Sequence, residues 1–525
     1  MELNSVKETF GEDAREAADE AVREAVAEAA PATAETEVLI VGAGPTGLAL
    51  AVDLCRRGVR VRVVERSAGL FPGSRGKGLQ PRTLEVLDDL GVADAIRAHG
   101  GPAPVGMAWR DGVRLGEHRM FEESEPTEAE PYAGVWLVPQ WRTQEILYAR
   151  LGELGGEVAF GTELTGLTQD ADGVTATLLS PGAGGLRPAT TLRARYAVAA
   201  DGGRSTVRGA LGIAMAGESV DTAPFLVADL RIPALDRLNW HVFPSSPVGA
   251  GALGAPGRSG SFLALCPLPG TDHFQLTARR EDGPAPDTSE AAVRALVAAG
   301  THLAASEVTE VVWASEFRAR TALADRFRAG RVFLAGDAAH LHSPAGGQGL
   351  NTSVQDAYNL GWKLGQVVRG GAPEALLDTY EQERRPVAAD MLGLSTRIHR
   401  GEARRGAATR QLGLGYRGGP LSTGAAGALT AGDRAPDGPL PDGSRIFDAL
   451  RGPHFTLLAV GTDAEVPEAV ARAVRVRRLD AYAPYGKGLF LIRPDGHVGW
   501  AGEDPIGLTE WLTEVGRPYT PDSVA

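Results

Sequence analysis

A chain of 525 residues is long enough for two or three domains with substantial cores. Its net charge of −13 at pH 7, with 43% hydrophobic and 23% charged residues, fits a globular protein and argues against general nucleic-acid binding. Cys55 and Cys266, the only cysteines, cannot make a disulfide framework or a cysteine metal site; no apolar run reaches membrane-spanning length and no signal peptide is visible, so a reducing cytoplasm is the expected setting.

Residues 1–34 are acidic and alanine-rich. Helix propensity is high there, but the apolar side chains are too few and too small to bury much surface. A solvated tail, disordered or partly helical, is expected. Val38 to Val41 then forms an apolar run of buried-strand length, followed at once by Gly42, Gly44 and Gly47 in G-x-G-x-x-G spacing. Leu48 to Arg57 has helical spacing, Gly58 ends it, and Val59 to Val64 is a second strand closed by Glu65. In such a βαβ unit the first glycine permits the turn, the second lets a pyrophosphate approach the backbone, and the third lets helix and strand pack. The helix start offers free N–H groups and a positive dipole end to an anion. Glu65 can accept hydrogen bonds from ribose hydroxyls. A lone glycine motif is weak; with strand, helix, second strand and acid in register it points to a dinucleotide.

Leu70 to Gln80 reads as a glycine-rich loop carrying Arg75, and Pro81 opens a helix with Leu84, Leu87 and Leu90 in a stripe. Val135 begins a short strand that joins a helix near Gln140 and Arg142. Another strand, Tyr196 to Ala200, ends at Asp201-Gly202. Residues 213–305 hold many short β-like runs, among them Phe225 to Ile232, Ser261 to Pro267 and Phe274 to Ala278. Gly249 to Gly254 also spells G-x-G-x-x-G, but no strand enters it and no helix leaves, so it reads as a loop.

The second strong signal is Arg331 to Asn351. A buried strand, Val332 to Ala335, ends at Gly336-Asp337, where ligands bind in open α/β sheets. His340, His342, Pro344 and the run Ala345 to Asn351 follow, and a helix starts there with Ala357, Leu360 and Leu364 on one face. The two histidines have no partner at metal-site spacing and read as structural hydrogen-bonding groups. One chain thus carries two anion-friendly helix starts, which suits a long dinucleotide.

Gly42 to Gly47 with Glu65, Asp201-Gly202, and Gly336-Asp337 with Pro344 to Asn351 resemble the three fingerprints of class A flavoprotein monooxygenases. Leu376 to Pro386 resembles a further segment of that family, and aromatic polyketide hydroxylases are the nearest in look. The resemblance implies FAD, held by Gly42, Gly44, Pro45, Thr46, Gly47, Glu65 and Arg66. Asp337 is expected near the ribityl chain, and Pro344, Gly347, Gly349, Leu350 and Asn351 near the flavin. Arg75 and Gln140 match family positions that touch FAD. It implies NADPH or NADH as a transient donor, O₂, and oxygen transfer from a flavin hydroperoxide to a polycyclic aromatic substrate. No catalytic side chain is assigned, because the cofactor carries the chemistry. Baeyer–Villiger insertion, antibiotic modification and a flavin-binding guard protein without turnover remain alternatives.

The expected fold is α/β. A Rossmann-like FAD-binding domain spans 35–212 and 306–400, with a substrate-binding sheet domain at 213–305. A helical linker covers 401–431. Residues 432–525 resemble the thioredoxin-like C-terminal domain of the polyketide hydroxylases but lack C-x-x-C, which leaves packing or contacts in a homodimer as the role.

Overall fold

The structure, a computed structural model, describes residues 34–182, 188–219, 224–244, 262–279 and 286–516. Almost all of the acidic tail and the loop Gly249 to Gly254 lie outside these residues.

The central sheet is built around Ala34–Val41. This strand pairs in parallel with Val61–Glu65 on one side and with Ala189–Ala199 on the other. Val158–Phe160 extends the sheet beyond the former, and Val332–Leu334 extends it beyond the latter, both in parallel. Val38, Leu39 and Ile40 have no exposure, as a β-branched run covered on both faces should. The chain moves from the middle strand to one side and returns on the other, so a crevice opens at the carboxyl edge. The helix Pro45–Cys55 packs against a long helix, Gly349–Val368, on one face of this sheet.

Gly349–Val368 differs from the one-sided helix expected. It is buried almost all round, and its polar residues Asn351, Gln355, Asp356, Asn359, Lys363 and Gln366 are inside. Each has a partner elsewhere in the chain. Asn359 donates to Glu383 and Asp495, and Lys363 donates to Glu383 at 2.7 Å. Arg493 reaches the same Glu383 with two N–H groups at 2.7 and 2.9 Å. This cluster joins the long helix, the helix Asp378–His399 and the C-terminal region. Burial of the Lys363 ammonium pulls its pKa down to about 8, with Glu383 opposing that. Arg493 and Lys363 hold the Glu383 carboxyl down near 2 against the effect of burial.

A second sheet of seven strands has the order Glu310–Phe317, Phe225–Arg231, His273–Arg279, Phe262–Pro267, Asn239–Pro244, Val105–Arg110, Val113–His118. It is wider than the expected 213–305 region. Both of its edges come from segments assigned by sequence to the 35–212 and 306–400 parts, because strand partners are chosen by packing and not by chain order. One face packs Leu226, Leu265, Leu276 and Phe243 against the helix Glu290–Gly300.

The expected helical linker at 401–431 is not helical. It holds one 3₁₀ turn, Ala407–Arg410, and the strands Thr423–Ala426 and Leu429–Thr430. Closely spaced glycines, among them Gly413, Gly415, Gly418 and Gly419, disfavour a helix there. Thr423–Ala426 pairs with Val498–Gly502, so the C-terminal sheet begins before residue 432. Its core strands are Thr456–Val460, Gly488–Ile492 and Val498–Gly502. No helix among the described residues is long and apolar enough to cross a membrane.

Candidate active site

Four parallel strands of the central sheet end side by side at Val41, Glu65, Ala199 and Leu334. The loops that leave them line one cavity of about 1230 Å³. That exceeds the roughly 300–1,000 Å³ usual for a single ligand.

The three glycines of the first loop differ in what a side chain would meet. A Cβ on Gly42, whose φ is +107°, would lie 2.3 Å from the Ala200 carbonyl oxygen. One on Gly47 would lie 2.0 Å from the Gly42 oxygen. Both positions hold the turn itself together. A Cβ on Gly44 would meet nothing within 4 Å, because it would project into the cavity. Gly44 is also the N-cap of Pro45–Cys55, and no side chain caps that helix. The long helix Gly349–Val368 likewise starts without a side-chain cap, after Gly347 in the left-handed conformation. Two sets of unsatisfied N–H groups therefore face the same cavity.

Glu65 lines the cavity at the end of the second strand. Its Oε2 accepts from Ala43 N at 3.0 Å and its Oε1 from Ser67 N at 2.9 Å. The carboxylate thus ties the glycine loop to the second strand, and each oxygen keeps accepting capacity for hydroxyl groups. Asp337 points into the cavity from the fourth strand end. Its surroundings inside the protein raise its pKa, against the pull of His340 and Arg75. Arg75 packs its guanidinium over the Phe71 ring at 4.9 Å. Gln140 accepts from Gly76 N at 2.9 Å and so fixes the loop that carries Arg75.

The Gly336-Asp337 turn is held from behind. Asp356 Oδ2 accepts from Gly336 N at 3.1 Å and bonds His340 Nε2 at 2.5 Å, while Oδ1 accepts from Arg384 Nε at 2.8 Å. His342 Nε2 meets His340 Nδ1 at 3.0 Å. His340, Asp356 and Arg384 are fully buried, so this is a scaffold under the turn.

The seven-stranded sheet supplies the opposite wall. Phe225 and Val227, Trp240 and Val242, Phe262 and Ala264, Gln275 and Thr277 alternate along their strands and face the cavity, with Phe317 at the edge. The wall is aromatic and apolar apart from few polar groups.

A family model described as an FAD binding domain matches residues 35–395, and one described as aromatic-ring hydroxylase, C-terminal, matches 429–518. The chain belongs to the FAD-dependent aromatic-ring hydroxylases. A flavin-dependent monooxygenase of Mycobacteroides abscessus is 45% identical over 489 residues, covering 91% of this chain and 99% of that protein. A 12-dehydrotetracycline 5-monooxygenase/anhydrotetracycline 6-monooxygenase of Streptomyces rimosus is 36% identical over 527 residues, covering 92% and 98%. Among solved structures, aklavinone-11 hydroxylase in a ternary complex with FAD and aklavinone superposes with a TM-score of 0.77 at 29% identity, covering 92% of this chain and 99% of that one. This chain is an FAD-dependent monooxygenase of that family and shares its mixed α/β fold.

The hydroxylase's cavity fits FAD on its own geometry: an open cradle over Gly44, two uncapped helix starts, and two carboxylates between them. Of the residues expected from sequence, Gly42, Gly44, Pro45, Thr46, Glu65, Arg66, Arg75, Gln140, Asp337, Pro344, Gly347, Gly349 and Leu350 line it. Gly47 does not; it packs helix against strand. Asn351 does not line it either, and its side chain is engaged within the protein. Its Oδ1 accepts from Gln80 N at 2.8 Å, and its Nδ2 donates to Gly78 O at 3.0 Å and Gly347 O at 2.8 Å. These bonds clasp the 347 turn to the loop before Pro81. Nothing in the sequence singles out Asp356, Arg384 or the aromatic wall as part of the site. The period-two spacing of Phe225 with Val227 and of Trp240 with Val242 was available as a signal for the wall, but not which face it lined.

Proposed function

We propose that this monooxygenase hydroxylates a polycyclic phenol of the aromatic-polyketide kind, with NAD(P)H as reductant and O₂ as oxidant. The carrying observation is the aromatic wall of the seven-stranded sheet, which stands across one continuous cavity from the FAD cradle. Relatives named for anhydrotetracycline and aklavinone act on rings of that class.

In this proposal the N–H groups behind Gly44 hold the pyrophosphate, Glu65 accepts from ribose hydroxyls, and Asp337 accepts from the ribityl chain. Arg66 and Arg75 neutralise phosphate charge, while Gln140 orders the Arg75 loop. The uncapped start of Gly349–Val368, with Pro344, Gly347 and Leu350, borders the ring system and favours negative charge there. When bound, the flavin supplies electron transfer from NAD(P)H and activation of O₂. The aromatic wall binds the flat substrate, aligns one ring edge and keeps water out. Asp356, with His340 and Arg384, keeps the Gly336-Asp337 turn in place.

The C-terminal sheet we read as a thioredoxin-like unit without thiol chemistry. One face of its three core strands, with Leu457, Leu489 and Trp500, packs with Val470 of the helix Glu468–Ala473 and with Leu508 and Trp511 of Leu508–Glu514, and both cysteines lie elsewhere in the chain. Its contact through Arg493, Asp495 and Glu383 makes it a brace for the two long helices.

The test is turnover. NADPH oxidation by purified FAD-loaded enzyme should be slow alone and accelerate when a phenolic polycycle is added. The product should be heavier by one oxygen, and label from heavy O₂ should enter it while label from water should not. Label arriving from water, or no NADPH consumption with any ring system tried, would reject the proposal.

A further inference from the structure

The chain has four lysines, Lys7, Lys77, Lys363 and Lys487, and one of them, Lys77, lines the cavity. It stands between the flavin-side loop and the seven-stranded sheet. Its ammonium lies over the face of Trp240, 4.4 Å from the ring centre, and donates to Gln275 Oε1. Gln275 in turn donates to Ser74 O, so the acceptor is held in place. An ammonium has three donors, and Gln275 is its one hydrogen-bond acceptor among the described residues. Asp229 lies opposite Gln275 in the strand register and on the same sheet face as Phe225 and Val227. It has no exposure, and neither of its oxygens meets a well-placed donor.

We propose that Lys77 is a substrate-binding residue whose ammonium holds one phenolic oxygen of the aromatic substrate in its ionised form. This rests on the phenolic-polycycle assignment above and adds how such a ring is oriented and activated. The wall around Lys77 is mainly aromatic and aliphatic, with Phe225, Val227, Trp240 and Val242 on it, so a flat ring can lie there with one polar edge turned to the cation. A single ammonium suits a single oxygen, whereas a carboxylate is better matched by an arginine fork. The phenolic proton leaves to bulk solvent on binding. The resulting phenolate is more electron-rich at the ring carbons beside and opposite that oxygen, which is what ring hydroxylation needs.

The charged groups around Lys77 agree with this role. Burial lowers its pKa, and Arg405 lowers it further, while Asp229 and Cys266 oppose the drop. Burial pushes Asp229 up to about 6, with Ser74 and Lys77 pulling it down, so its support for the cation weakens on acidification. Burial pushes Cys266 up to about 11, which leaves it a neutral thiol. Arg405 is already engaged, donating to Ala345 O at 2.7 and 2.9 Å. Asp229 is ionised above about pH 6 but makes no ion pair with Lys77 among the described residues, so a phenolate would give the ammonium a counter-charge in direct contact.

The experiment uses FAD-loaded enzyme without NAD(P)H, so nothing turns over. Alizarin and emodin, whose visible absorbance moves to the red on ionisation, are titrated into wild type, Lys77→Met and Lys77→Arg across the pH range. Bound dye should ionise about 1–3 pH units below free dye in wild type, as an adjacent opposite charge shifts an acid. Lys77→Met should abolish the shift and weaken phenolate binding about tenfold per unit lost. Lys77→Arg should restore most of it. Fully O-methylated dye should bind all three proteins alike. FAD content and melting temperature report folding, and the arginine variant keeps the test open if the methionine variant is unstable. Equal dye ionisation in wild type and Lys77→Met, with binding intact, overturns the role of Lys77 and leaves the phenol assignment standing. Failure of wild type to bind either dye overturns both.

Discussion

Gly44→Val separates the glycine that holds the loop from the glycine that admits the cofactor. Gly44 has φ −71° and ψ 176°, an extended conformation that a β-branched residue adopts without strain. Its Cβ would touch no protein atom within 4 Å. The variant should therefore fold and melt close to wild type. The valine methyls would instead fill the space over the Pro45–Cys55 helix start. Displacing the pyrophosphate from two backbone N–H groups removes two charge-assisted hydrogen bonds, about 1.5–3 kcal/mol each. Losing both corresponds to about 10²–10⁴-fold weaker FAD binding. Flavin absorbance of the purified protein and fluorescence titration of the apoprotein give the affinity, and thermal denaturation gives the stability. Gly42→Ala is the contrast, because its Cβ would strike the Ala200 carbonyl at 2.3 Å and the turn itself must give way. A yellow, fully loaded Gly44→Val protein with wild-type affinity would refute the placement of the cofactor.

Asp337→Ala should weaken FAD by about 1.5–3 kcal/mol, the value of a hydrogen bond to a charged group, with melting temperature little changed; unaltered affinity in a fluorescence titration would make Asp337 a turn residue only. Burial pushes both Cys55 and Cys266 up to about 11, so neither is a thiolate near neutrality, and the Cys55→Ser, Cys266→Ser double variant should keep turnover in a product assay. Glu383 contributes stability fully above its ordinary pKa of 4.5, and that contribution should be lost as pH falls toward about 2. Glu383→Gln leaves Lys363 and Arg493 buried without their carboxylate, so urea denaturation near neutrality should show a loss of about 3–5 kcal/mol that shrinks in acid.

The residues that line the glycine-loop end of the cavity were legible in the sequence because their signals are local. Strand, Gly42-x-Gly44-x-x-Gly47, helix and Glu65 lie within one supersecondary unit, and each glycine's task follows from backbone sterics alone. Gly336-Asp337 at a strand end and the glycine run before Leu350 are equally local. What the sequence left open depends on distant partners. Asn351 sat inside a strong motif, but only the folded chain shows its amide clasping Gln80, Gly78 and Gly347. The helix Gly349–Val368 carries an amphipathic pattern, yet it is central, because Asp356 meets Arg384 and His340, and Lys363 meets Glu383. Buried polar residues of this kind cannot be told from solvated ones until their partners are known. The substrate wall is likewise a matter of tertiary structure. Val105–Arg110 and Glu310–Phe317 join the sheet across long stretches of chain, and the pleat fixes that Phe225, Trp240 and Gln275 face the cofactor cradle while their neighbours face the core. Periodicity gives two faces to every strand; only packing against a second layer decides which of them becomes the site.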